Sequence, residues 1–372
     1  MFRTYRHPLG LAALAALVSL ASPTRAQEEE KVLNVYNWSD YIGDDTIAGF
    51  EKETGIKVRY DNFDSNETLH AKLVAGRTGY DIVVPSSYWG KIQLEGGLLR
   101  PLDKSQIPNW KNLNGPLMKA LEEMDPGNKF LVVWMWGYTT VGINVDKVKK
   151  ALGDLPMPAN AWDLVFKPEY MSRLKSCGVS FLDSPTEIVP AAAFYLGKPS
   201  YSKDPANYNG TAELLAKIRP YVTLFSSSGY INDLANGSIC VALGWNGDIN
   251  IAKNRAIEGK TGQKIECLMP AKGGIVFMDT QAVPVDAPHP GNAMKWINYI
   301  LRPDVNAGLT NKVFYANPTE PASTPFMKKE IATDHTVFPT PEDMKKMSLP
   351  AALSNDSRRA MTRIYTTFKT GL

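Results

Sequence analysis

The chain has 372 residues, 44% of them hydrophobic, with 41 Lys and Arg against 38 Asp and Glu. Three of those arginines (Arg3, Arg6, Arg25) and no acid fall in the first 26 residues, so without that segment Lys plus Arg drops to 38 and the net charge to zero. That balance removes the compositional case for a nucleic-acid or anionic-membrane partner, and the length exceeds what one hydrophobic core usually serves, which predicts two lobes.

Residues 1–26 combine a basic start, an apolar stretch from Leu9 to Leu20 and a small-residue end at Ala26. That is the pattern of a cleavable secretory signal, too short to span a bilayer, and it predicts a periplasmic product. Alternation in Val32 to Tyr36 predicts a strand, and a helix is expected over 44–53 with Asp44 or Asp45 at its start and Gly55 past its end. A strand at 57–63, a helix at 66–75 stopped by Gly76 and a strand at 80–84 complete a βαβαβ unit. Further on, strands at 178–182 and 239–244 lead into helices at 185–196 and 249–258, and a strand-like run at 274–285 precedes a helix at 292–301.

Alternating strands and helices imply mostly parallel sheets, with ligands bound beyond the carboxyl ends of the strands. The expected fold is α/β and bilobal. Lobe 1 is assigned 31–138 with 259–313, and lobe 2 is assigned 139–258 with 314–372, joined by crossovers near 138–142, 257–262 and 312–318. Of the three cysteines, Cys177 and Cys240 open apolar runs that this topology makes neighbouring strands. They are the expected disulfide, with Cys267 left reduced.

The histidines (His7, His70, His289, His335) are scattered without zinc-ligand spacing, and no phosphate-cradling glycine loop or GxSxG elbow is present. No cofactor is expected and catalytic machinery is not visible. The loops beyond the strand ends, 37–43, 85–90, 183–187 and 245–248, and the segments after them instead carry rings and acids: Trp38, Ser39, Asp40 and Tyr41; Ser86, Ser87, Tyr88 and Trp89; then Glu187, Trp245, Asp248, Phe277, Asp279 and, near the last crossover, Tyr315. Carboxylates at two ends with aromatic walls between suit a flexible diamine, since they bond both ammonium groups while the ring faces bury the methylenes.

Several of these residues have plainer alternatives. Ser184-Pro185-Thr186-Glu187 is a capping box with proline at the first helical position, and Asp248 stands where a helix N-cap would. Trp38, Trp245 and Phe277 could be core rings, whereas an acid at Asp279 inside an apolar strand is a buried charge in need of a partner.

At these residues the chain resembles the periplasmic putrescine- and spermidine-binding proteins of polyamine ABC transporters. The likeness runs through Val35-Tyr36-Asn37-Trp38-Ser39-Asp40-Tyr41-Ile42, Phe63-Asp64-Ser65-Asn66-Glu67, Ile82-Val83-Val84-Pro85-Ser86, Ser176 to Asp183 and Tyr230 to Gly237. The resemblance implies a type II periplasmic binding fold in which Trp38 and Trp245 sandwich a methylene chain and Phe277, Tyr41 and Tyr315 complete the box. It also implies a polar wall of Ser39, Asp40 and Ser86, acids Asp248, Asp279 and Glu187 on the amino groups, a monomer, and permease subunits as partner. Ser184 and Phe277 then favour the shorter diamine, putrescine, while Tyr88 points toward spermidine. A sensor of polyamine, or a hydrolase using Asp248 or Asp279 as base, remains the competing class.

Overall fold

The computed structural model describes residues 1–2 and 29–371. Beyond its first two residues, the targeting segment expected at 1–26 lies outside the described residues. Eleven strands are seen among them: β1 Val32–Trp38, β2 Lys57–Phe63, β3 Ile82–Val83, β4 Leu99–Arg100, β5 Val132–Asn144, β6 Val179–Phe181, β7 Leu224–Phe225, β8 Val241–Trp245, β9 Ile265–Leu268, β10 Ile275–Gln281 and β11 Val283–Pro284.

The first lobe is built on a parallel sheet in the order β2-β1-β3. β1 is central, with Leu33, Val35 and Tyr36 buried, whereas β2 is an edge whose Lys57, Arg59 and Asp61 keep it from pairing further. The intervening helices fall where their punctuation puts them. Thr46–Thr54 is closed by Gly55 at φ 70°, and Asn66–Ala75 starts from Ser65, whose hydroxyl accepts the Thr68 N–H at 3.2 Å.

The second sheet runs β10-β5-β8-β6-β7, with β9 added beside β5. Only β6–β7 and β6–β8 are parallel; β5 pairs antiparallel with β8, β9 and β10. The sheet is therefore mixed rather than mostly parallel, because the strands that carry the chain between lobes run against the local βα direction.

The thirteen-residue β5 is the main passage. β10 returns beside it, and its far end is stitched into the first lobe by bridges Ser86–Asp279 and Val83–Ala282, while Trp136 bridges Ala316 on a third passage. The return expected at 257–262 is displaced accordingly. The helix Asn246–Glu258 occupies that region, and β9 still pairs with Val141 to Asn144, so residues 265–268 sit in the second sheet despite the boundary expected at 259. The Cys177 and Cys240 sulfurs are bonded, with Cα atoms 5.4 Å apart, tying the starts of β6 and β8; Cys267 is free and half-buried. A helix at Asn355–Thr370 packs on the helix Pro185–Tyr195, and its Tyr365 hydroxyl bonds the Leu182 carbonyl at 3.1 Å. Among the described residues no helix is long and apolar enough to cross a membrane.

Candidate functional site

A narrow cleft lies where the two sheets face each other. Its wall takes Trp38, Ser39 and Tyr41 from the end of β1 and the loop after it, Ser86 from beyond β3, and Glu187 from the first turn of Pro185–Tyr195. Trp245 and Asp248 come from the end of β8 and the helix after it, Phe277 and Asp279 from β10, and Tyr315 from the third passage.

Ten of the twelve expected site residues thus share one cavity. Asp40 and Tyr88 do not line it. Asp40, at φ 54°, turns its carboxylate outward to Arg255 Nη2 at 2.6 Å. Tyr88 belongs to a helix, Ser87–Glu95, rather than to a loop at 85–90; it is buried behind the wall and its hydroxyl reaches Glu187 Oε1 at 3.4 Å.

The rings form a continuous chain across the lobes. Trp38 packs on Phe63 at 4.6 Å and meets Trp245 at 5.8 Å; Trp245 meets Phe277, Phe277 meets Tyr315, and Tyr315 meets Tyr41 at 5.0 Å. Trp38 and Trp245 touch edge to face at 71°. A methylene chain between two parallel faces needs roughly 7–8 Å, twice a carbon contact, so in this state the two indoles are adjoining walls rather than a sandwich.

The acids are held by neutral hydroxyls. Asp248 receives Tyr315 at 2.6 Å and Tyr230 at 3.0 Å; Asp279 receives Ser86 at 2.7 Å; Glu187 receives Thr139 at 2.5 Å. Burial pushes all three carboxyls up to about 7, a cost the hydroxyl donors only partly offset. Each is therefore poised to ionise fully when a cation arrives.

Local structure explains how each acid came to face the cleft. Ser184 caps no backbone N–H with its side chain, so Glu187 is released from a capping box and lies along Thr139. The helix bearing Asp248 begins at Asn246, which places Asp248 inside the first turn instead of at the cap. The β10–β5 register shifts between Asp279 and Thr280, where β5 carries one extra residue, Trp134, and such a bulge bends the ladder opposite Asp279.

Sequence reasoning missed Asn66, whose amide holds Ser86 through bonds of 3.0 Å in both directions, and Tyr230 behind Asp248. It also missed Asp64, Ser65, Ser227 and Ser228 in the wall. The first pair of these follows the carboxyl end of β2 and was findable by the strand-end rule. The second pair follows β7, whose two residues carry no periodicity.

Fold and cleft together define a bilobal α/β solute-binding protein. Residues 45–339 match the bacterial extracellular solute-binding protein family, and the chain belongs to it. It is 49% identical over 361 residues, 97% of this chain and 98% of the other, to the putrescine-binding periplasmic protein SpuD of Pseudomonas aeruginosa. It is 47% identical over 363 residues, 97% of each chain, to the putrescine-binding periplasmic protein PotF of Escherichia coli. Among solved structures, the spermidine/putrescine ABC transporter substrate-binding protein PotD of Streptococcus pneumoniae superposes with a TM-score of 0.73 at 25% identity, covering 92% of this chain and 99% of its own.

Proposed function

We propose that this protein is a monomeric periplasmic carrier that captures a linear diamine, putrescine first, between its lobes and delivers it to the membrane subunits of an ABC transporter. The observation that carries the reading is the pair Asp248 and Asp279. They enter one aromatic cleft from opposite lobes and have only neutral hydroxyls as hydrogen-bond donors. A dication satisfies both at once, and its methylenes lie against Trp38, Trp245, Phe277 and Tyr315. Ser39, Tyr41, Ser86 and Glu187 complete the contacts, while Asp40 and Tyr88 act from the rim and from behind.

The names of the relatives support the same ligand class, and a hydrolase reading has only the cleft carboxylates to draw on, with no nucleophile elbow or zinc-ligand spacing beside them. The lobes assigned here move as bodies about β5, β10 and the third passage, so that ligand favours the closed form.

Calorimetric titration of unfolded-and-refolded protein with putrescine, spermidine, cadaverine and agmatine tests this. Putrescine should bind tightest and raise the melting temperature by mass action on the folded state. No binding of any of the four, or chemical conversion of the amine, would overturn the reading, and sedimentation with and without ligand checks the monomer.

A further inference from the structure

Tyr230 does not line the cleft, yet its hydroxyl ties together two residues that do. It donates to Asp248 Oδ2 at 3.0 Å and accepts the Trp245 backbone N–H at 3.0 Å. Tyr315 does the complementary work on the other oxygen, donating to Asp248 Oδ1 at 2.6 Å and accepting the Asp248 N–H at 3.2 Å.

The sequence Gly244-Trp245-Asn246-Gly247-Asp248 is shaped for this pair of phenols. A Cβ on Gly244 would come within 2.6 Å of the Tyr230 ring, and one on Gly247 within 2.3 Å of the Tyr315 ring. Each glycine therefore lets one tyrosine lie against the backbone closely enough for its hydroxyl to reach the same carboxylate.

We propose that Tyr230 is a positioning residue that locks the Asp248 carboxylate and the Trp245 backbone into one rigid ammonium-binding unit. This rests on the diamine reading above. A carboxylate with one O–H on each oxygen has a single orientation, and each oxygen keeps a further acceptor direction for an ammonium. Tyr230 is fully buried, so its hydroxyl is held in place by the packing around its ring.

The groups facing Asp248 are Tyr230 from Tyr230–Asn236, Tyr315 from the third passage, Tyr41 and Asp40 from the loop after β1, and Arg255 on its own helix. Both phenols and Arg255 favour the ionised form, and Asp40 opposes it. Removing the Tyr230 hydroxyl therefore both frees the carboxylate to rotate and makes it harder to ionise.

The test is Tyr230→Phe, which keeps the ring, titrated with putrescine from about pH 5.5 to about pH 8.5 beside the unaltered protein. Affinity near neutrality should fall about tenfold, and the pH midpoint of binding should move upward. In an Asp248→Asn background the same change should matter by less than about twofold and shift no midpoint, since coupled residues are not additive. The melting temperature without ligand should stay within a few degrees.

An unchanged affinity and midpoint, an equal loss in the Asp248→Asn background, or a variant that does not fold would each overturn the positioning role while leaving the diamine reading intact. If the unaltered protein binds no diamine, that reading fails and this proposal with it.

Discussion

Asp248 and Asp279 face the same cleft but are held by different chemistry. Asp248 rises from the first turn of a helix and has a phenol on each oxygen, with its surroundings drawn from the second sheet and the third passage. Asp279 lies on β10 opposite a bulge in β5 and takes the aliphatic hydroxyl of Ser86, which Asn66 fixes from the first lobe. The contrast shows that the two acids are preorganised separately, Asp248 by phenols within the second sheet's surroundings and Asp279 by a hydroxyl reaching across from the first sheet. A ligand with one charge satisfies one acid; a ligand with two joins them.

The strongest way to break this comparison is to neutralise each acid in turn. Asp248→Asn and Asp279→Asn should each weaken putrescine by roughly 2–4 kcal/mol, because each leaves a desolvated ammonium without its counter-charge. Titration with a monoamine of similar length sharpens the point, since the acid that a single ammonium does not use should become dispensable. Equal losses for monoamine in both variants would mean that the acids do not serve separate ends.

The ring walls come next. Trp245→Ala should cost about 1–3 kcal/mol of binding through lost apolar cover and cation–π attraction, with Phe restoring part of it. Trp38→Ala should lower the melting temperature as well, because Trp38 also packs on Phe63 and donates its indole N–H to the Val84 carbonyl at 2.9 Å.

A third effect is smaller and concerns all the acids together. Folding raises Glu187, Asp248 and Asp279 to about 7, so between about pH 4 and that value the folded form binds more protons than the unfolded one. The contribution of these three acids to ligand-free stability is therefore fully present below the unfolded carboxyl range and is lost as pH rises toward and through about 7, so replacing them with amides should flatten that part of the stability profile. Putrescine reverses this by favouring the ionised acids, so its stabilisation should grow by about 1 kcal/mol from pH 6 to 8, with protons released on binding. Melting curves across pH, and binding enthalpies in buffers of different ionisation enthalpy, measure both. A ligand effect independent of pH would show that the acids are already ionised in the empty cleft.

How much of this could be seen in the sequence depended on how local the determinant is. The strand at 57–63 and the helix at 66–75 were legible to the residue because their determinants, local periodicity and the Gly76 stop, lie within or next to them. The acids of the cleft were legible as types, since carboxylates beside rings at strand ends have few uses. β5 was not, because a strand buried along nearly its whole length lacks alternation, and its role depends on partners over a hundred residues away. For the same reason the return passage at β10 was placed too early. Tyr230 and Asn66 escaped as site residues, although both fall in stretches that carry the resemblance, because their roles lie in what they hold: the Asp248 carboxylate and Ser86.

The weakest link is at the rim. Arg255 joins Asp40 at 2.6 Å and Asn232 at 2.8 Å, so one guanidinium spans from the second lobe to the loop after β1. Both partners of the ion pair are about a third exposed, at 32% and 39%, which limits the bond to roughly 0.2–1 kcal/mol. Arg255→Ala should accordingly change putrescine affinity by no more than about fivefold, mostly through faster release, because the pair exists only while the lobes are together. Stopped-flow release from the variant, at low and high salt, decides it. A loss as large as that of Asp248→Asn would mean that closure depends on the rim rather than on the two acids inside.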